Sequence, residues 1–314
     1  MATGVDTGCG AVDFFIGCTT LATSSIRLFN DRLDKWLRMF PEDARDIHFL
    51  LMFPKRSLAV LRTGLGDRGT ATNIHMYISA VTALFKHSGA VSGSLPKRDE
   101  LHQQWLLQQA HNSVPIERKR DFHTPTDRQS EKGGATMTME QICARRDALA
   151  DGSIEKLLIS VYTYIPPVRA DYFATQIVLY GSAQTAENAI LFGDAGRTCA
   201  SLLLRDFKTS HTYKKIYHPV LPDALVHQIR LSLAEAPRDY LFMNADGRPF
   251  TRNAFQMWAN RVLSRCFGAQ FTLTLFRHIY ISSLGNDLSV EELDQISRHM
   301  GHSITMQTKY IWTV

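Results

Sequence analysis

Apolar residues recur at helical spacing along most of the chain. Ile26, Phe29, Leu33, Trp36 and Leu37 trace one face of a first helix, and Pro41 stops the pattern. A second helix is expected over 43–53. A third starts near Thr70, runs through Ile74, Tyr77, Ile78, Val81, Leu84 and Phe85, and stops at Gly89. Leu101, Trp105 and Leu106 share a face in a fourth, over 99–111. The character changes at 112–137, which is polar, holds two prolines and a glycine pair, and has few large apolar residues. That stretch reads as a linker between domains.

Beyond it, helices are expected at 138–149 and 153–164. Residues 188–192, 193–196 and 198–205 read as strand, turn and strand. Further short strands fit 216–220 and 240–243. Helices return at 222–234, 251–266, 273–284, 290–299 and 304–311. The expected fold class is mainly α with a small antiparallel β-sheet, an α+β arrangement. A helical first domain spans 20–112, a linker spans 113–137, and a second domain spans 138–314.

Composition supports a two-domain globular protein. The 314 residues are 45% hydrophobic and 21% charged, which is enough apolar material for buried cores and rules out wholesale disorder. The net charge of +5 divides as +3 before residue 136 and +2 after it, so neither half is a polycationic tail. Contact with nucleic acid must therefore come from local clustering. The run Arg118, Lys119, Arg120 in the linker suits DNA phosphates. Five cysteines, odd in number and without a CxxC pair, argue against a disulfide framework or a zinc site and fit a reducing, intracellular compartment. No run approaches the roughly 18 apolar residues of a membrane span.

Three local patterns carry chemistry. In Ile165-Pro-Pro-Val-Arg-Ala-Asp-Tyr172 the prolines open a helical turn and place Arg169 where backbone N–H groups favour an anion. In Asp206-Phe-Lys-Thr-Ser210, Lys208 stands at a hairpin tip, able to swing toward a substrate and to give up a proton. In the C-terminal run, Arg277 and His278 lie inside an apolar helix, Gly301 precedes His302 at a break between two short helices, and Tyr310 follows eight residues later. Burying an arginine is costly without an anionic partner, which is either a carboxylate or a phosphate.

The order Arg, hairpin Lys, Arg-His, Gly-His-Ser, Tyr resembles the tyrosine recombinase family, the phage integrase and Cre-like enzymes. The resemblance covers nearly the whole chain, with 20–112 similar to the helical core-binding domain and 138–314 to the catalytic domain. The Pro-Pro-x-Arg-x-Asp-Tyr form, with Met-Gly-His-Ser and Gln307, is most like diverged members in large DNA viruses and eukaryotic mobile elements. The resemblance implies a site-specific recombinase that breaks and rejoins DNA through a 3′-phosphotyrosyl link, without metal, cofactor or ATP. It implies Tyr310 as nucleophile, Lys208 as general acid, Arg169 and Arg277 as the clamp on the nonbridging oxygens, and His302 as a phosphate or nucleophile partner. The implied partner is double-stranded DNA, bound as a homo-oligomer (a tetramer) by a chain that is monomeric or weakly associated in solution. The implied location is intracellular, with DNA, whether in nucleus, nucleoid or viral replication site. A type IB topoisomerase, or a weakened DNA-binding or packaging protein derived from a recombinase, are the alternatives.

Two departures stand out. Thr274 occupies the position where the family usually has His, and a hydroxyl is a poor base. Either another residue such as His278 takes that role or activity is reduced. The His302-to-Tyr310 spacing is one residue shorter than in the best-known members, so the turn before Tyr310 must differ.

Overall fold

The computed structural model describes residues 13–121, 137–285, 288–308 and 310–311, the side chains of 117–121 and 308 excepted. The chain divides into two compact units, Met1–Phe122 and His123–Val314.

The first unit is helical. It comprises α1 (Thr23–Leu37), α2 (Ile47–Met52), α3 (Pro54–Leu65), α4 (Ala71–His87), α5 (Gly89–Ser92) and α6 (Arg98–Asp121). The expected helix over 43–53 is broken. A 3-10 turn at Glu42–Ala44 comes first, and Asp46 then caps α2 by accepting a hydrogen bond from the His48 amide at 2.9 Å. Pro54 opens α3 at its first position, where the missing N–H costs nothing. Trp36 and Trp105 form the centre of this core, edge to face with ring centroids 5.8 Å apart. Each buried indole N–H is satisfied by a main-chain carbonyl, that of Ser57 for Trp36 and that of Leu51 for Trp105. Leu106, expected on the Trp105 face, is instead 36% exposed, as its 100° rotation from Trp105 dictates.

Helix α6 runs past the expected end at residue 111, through Pro115, to Asp121. The first residues of the expected linker are thus helical, and Asn112 is tied to α4 by donating to the Ala71 carbonyl at 2.6 Å. Arg118, Lys119 and Arg120 fall in this last stretch of α6. Their side chains, and residues 122–136 of the expected linker, lie outside the described residues.

The second unit holds α7 (Met139–Asp147), α8 (Ile154–Thr163), β1 (Gln176–Val178), β2 (Asn188–Phe192), β3 (Ala200–Leu204), α9 (Ser210–Tyr213), β4 (Ile216–His218), α10 (Asp223–Glu235), α11 (Arg252–Phe267), α12 (Leu273–Ser283), α13 (Val290–His299) and α14 (Ile304–Thr308). The four strands form one sheet in sequence order. The sheet is mixed rather than wholly antiparallel. β1 runs parallel to β2, with Ile177 opposite Ile190, while β2–β3 and β3–β4 are antiparallel. Gln176 makes the difference: its side-chain oxygen accepts from the Thr185 and Ala186 amides and holds the loop that returns the chain to the start of β2. The strand expected at 240–243 reduces to two isolated bridges, Gln176 with Tyr240 and Met243 with Pro249.

One apolar core joins α8, the sheet and the helices α10 to α12, through Leu157, Tyr162, Ile190, Leu202, Phe242, Phe255 and Phe276. Thr272 caps α12 by accepting from the Leu275 amide, and Asn260 of α11 accepts from Leu273 at 2.9 Å. The start of α12, which carries the buried Arg277, is therefore fixed to α11. No helix of the described residues is long and apolar enough to cross a membrane.

Candidate active site

Arg277 is 1% exposed, on the inner face of α12 between Phe276 and Ile279. One terminal nitrogen donates to the Met300 carbonyl at 3.4 Å and meets Nδ1 of His302 at very short range. The other two guanidinium nitrogens, Nε and Nη1, are buried without a hydrogen-bond partner among the described residues. Burial pulls the guanidinium down to about 10, so it remains charged at neutral pH. Among the described residues no carboxylate stands within ion-pair distance of this buried cation, although Asp171 lies near enough to favour its charge, and its two open donors could receive an anion.

The Tyr310 ring lies on this cation, with Arg277 Cζ 4.7 Å from its centroid. It also stacks on the His302 imidazole at 5.4 Å and 22°. Helix α14 is short, and Tyr310 follows it on a turn closed by its own amide to the Gln307 carbonyl at 2.9 Å. His278 faces the same tyrosine, its Nδ1 3.0 Å from the Tyr310 carbonyl oxygen.

His302 is 2% exposed. Burial, then the positive charge of Arg277 and Arg169, hold its pKa down to about 3, so the imidazole is neutral. The Gln307 amide lies near enough to oppose that shift but makes no aligned bond to the ring, whose Nε2 is buried and unpartnered. Burial likewise takes His278 to about 4.

The position of His302 follows from how α13 ends. Gly301 adopts φ +65°. Its amide bonds the Arg298 carbonyl and the His302 amide bonds the Ser297 carbonyl, each at 3.0 Å, which is a Schellman closure. A Cβ at Gly301 would meet Ile216 and Phe207 at 3.2–3.3 Å. The Gly301 carbonyl accepts from Arg169 Nη1 at 3.4 Å and from the Thr209 hydroxyl at 2.7 Å.

Arg169 is half-buried on the loop after α8. Tyr162 donates its hydroxyl to the Arg169 carbonyl at 2.6 Å, and the Arg169 amide donates to Asp171 at 3.2 Å. Asp171 is 1% exposed and pairs with Arg252, the first residue of α11. Burial raises its carboxyl above the usual range although Arg252, Arg169 and Arg277 all pull the other way.

The structure thus brings Arg169, Arg277, His302 and Tyr310 together around one point. Lys208 is exposed on the β3–α9 turn and joins the group only through its chain neighbours, since Phe207 packs beside Gly301 and Thr209 bonds its carbonyl. Thr274 is exposed one helical turn before Arg277. Three residues supporting this centre were not singled out in the sequence. Asp171 stood in the quoted Pro-Pro motif without a role. Asn188 is a buried polar residue opening the apolar strand Asn188–Phe192, which is a signal in itself. Arg252 carries no local signal.

No protein-family model matches the sequence, and no curated protein matches it. Solved structures do. XerA recombinase shares 17% identity over 94% of this chain and 89% of its own, at a TM-score of 0.40. A lambda integrase fragment, crystallised as a dimer bound to a core site, shares 13% identity over 93% of this chain and 89% of its own, at a TM-score of 0.56. On the lambda integrase match the chain has a tyrosine recombinase-like fold, mainly helical with a small mixed sheet.

Proposed function

We propose that the chain is a site-specific DNA recombinase or integrase that cuts and rejoins strands through a 3′-phosphotyrosyl intermediate. The observation that carries this reading is Arg277, a buried and charged guanidinium with two unpartnered nitrogens, covered by the ring of Tyr310. A phosphodiester in transition gathers negative charge on its nonbridging oxygens, and paired guanidinium donors meet that charge in a fixed geometry. Arg169 and Arg277 supply them. Tyr310 gives its hydroxyl proton to solvent and its Oη forms the new bond to phosphorus while the bond to the 5′ oxygen breaks, and Lys208 gives that oxygen its proton. Neutral His302 can accept or donate at the phosphate. The cations of the chain perform the charge neutralisation, so the reaction calls for no metal, and the phosphotyrosyl bond conserves the energy needed for religation.

The partner is duplex DNA, held largely by phosphate contacts, with Arg118, Lys119 and Arg120 among the contributing cations. The working form is a homo-oligomer, a tetramer, assembled on DNA within the cell, and 20–112 and 138–314 serve as core-binding and catalytic domains joined through 113–137, a stretch that begins with the end of α6.

Nicked suicide substrates test this directly. The wild-type chain should trap a covalent adduct and Tyr310→Phe should not. An adduct formed by Tyr310→Phe would remove the nucleophile assignment. Salt-sensitive DNA binding with no adduct from the wild type would favour a DNA-binding protein that has lost the chemistry.

A further inference from the structure

Two residues outside the reacting group tie the Arg169 loop to the Lys208 loop. Asn188 is 2% exposed and spends its whole amide on the task. Its nitrogen donates to the Asp171 carbonyl at 3.0 Å and to the Asp206 carbonyl at 2.9 Å. Its oxygen accepts from the Arg205 amide at 2.9 Å and the Asp206 amide at 2.8 Å. Arg252 repeats the connection between side chains, gripping Asp171 with one terminal nitrogen and Asp206 with the other, the latter at 2.9 Å. Its guanidinium lies over the Phe173 ring at 4.9 Å, which fixes the plane of the fork.

The two bridged residues have significant places. Asp171 is two residues after Arg169, and its carboxylate accepts the Arg169 amide. Asp206 is two residues before Lys208. Beyond it, Phe207 is buried against Gly301 and Thr209 is bonded to the Gly301 carbonyl. The main chain is therefore pinned on both sides of Lys208, while the lysine itself is exposed. A long flexible side chain delivers a proton reproducibly only when its root is fixed.

We infer that Asn188 and Arg252 are positioning residues that hold the root of Lys208 at a set distance from the arginine clamp through Asp206 and Asp171. The inference rests on the recombinase reading above and concerns how its general acid is placed. The contacts of Arg252 run to Asp171, Asp206 and the Phe173 ring. Its effect runs through the proton given to the leaving oxygen.

The test compares two suicide substrates, one with the ordinary 5′ oxygen at the cut and one with a bridging 5′ sulfur. In the first, the P–O bond breaks and the oxygen takes a proton from Lys208. In the second, the P–S bond breaks and a thiolate leaves without a proton. Asp206→Ala removes the exposed end of the bridge and leaves the buried Asp171–Arg252 pair intact. Arg252→Lys keeps a cation beside Asp171 but cannot span both carboxylates with one planar fork. Each should slow adduct formation on the oxygen substrate by about 10- to 100-fold and by less than about threefold on the sulfur substrate, the pattern also expected of Lys208→Ala. Thermal unfolding of both variants checks that they remain folded, and the exposed Asp206 makes its variant the safer of the two. Equal slowing on both substrates, or no slowing on either, overturns the inference. A wild-type chain that forms no adduct on either substrate removes the recombinase reading itself, and the inference with it.

Discussion

Replacing Arg277 with methionine should stabilise the chain while ending its chemistry. The side chain is 1% exposed, and Nε and Nη1 have no partner. Each buried, unpaired donor costs about 1–3 kcal/mol, and the charge itself costs several kcal/mol more to desolvate. Against this stand the contact with His302 Nδ1, worth about 1.5–3 kcal/mol as a charged hydrogen bond, and the stacking of Tyr310, worth about 0.5–2 kcal/mol. Methionine fills much of the same length with apolar, adaptable atoms. Set against these contacts, the two unpaired donors and the desolvated charge favour the variant by about 1–3 kcal/mol. Urea unfolding of wild type and Arg277→Met, followed by the shift in midpoint at constant slope, reads this out. Adduct formation on a suicide substrate should be abolished in the same preparation. A variant less stable than wild type by about 2 kcal/mol or more would show that Arg277 is a structural residue, and the argument for an open anion site would fail.

Acid should destabilise the second unit before its carboxylates titrate. His302 is held at about 3 and His218 and His278 at about 4, each chiefly by burial, against an ordinary 6.5. The unfolded chain therefore takes up protons that the folded chain refuses, so this stability is full above about pH 6.5 and is lost as pH falls from there toward 4, at about 1.4 kcal/mol per pH unit for each histidine. Urea midpoints that stay flat between pH 7 and 5 would contradict it. Gly301→Ala forces a side chain into φ +65° and against Ile216 and Phe207, and should cost about 1–3 kcal/mol with a loss of adduct rate, measured together. Asn188→Ala strands the Arg205 and Asp206 amides and should cost about 2–4 kcal/mol in urea, whereas a change under 0.5 kcal/mol would mean that water takes over the role.

Helical periodicity located most elements because one face of each helix is buried and the repeat is local. The 290–299 helix was readable for that reason, and strand β2 as a short apolar run between turn residues. The parallel β1–β2 pairing was not, because it depends on the Gln176 side chain turning a loop, which leaves no apolar rhythm. The break at Asp46 was visible only as a capping residue at the head of an apolar run. At the site, Arg169, Arg277, His302 and Tyr310 were legible as residue types that are costly or purposeful where they stand. Arg252 was not legible. One arginine at the start of a helix looks like any other, and its significance arises only when the fold brings two distant carboxylates to its fork.

The atom on which the site converges belongs to no side chain. The Gly301 carbonyl receives the Arg169 guanidinium and the Thr209 hydroxyl, one residue before His302 and one intervening helix after that of Arg277 in sequence. Every residue has a carbonyl, so this junction has no letter of its own. Substitution can rewrite the side chains around it and leave the acceptor in place, provided the turn keeps its hand. A centre anchored in main chain in this way can drift far in sequence while its parts still meet.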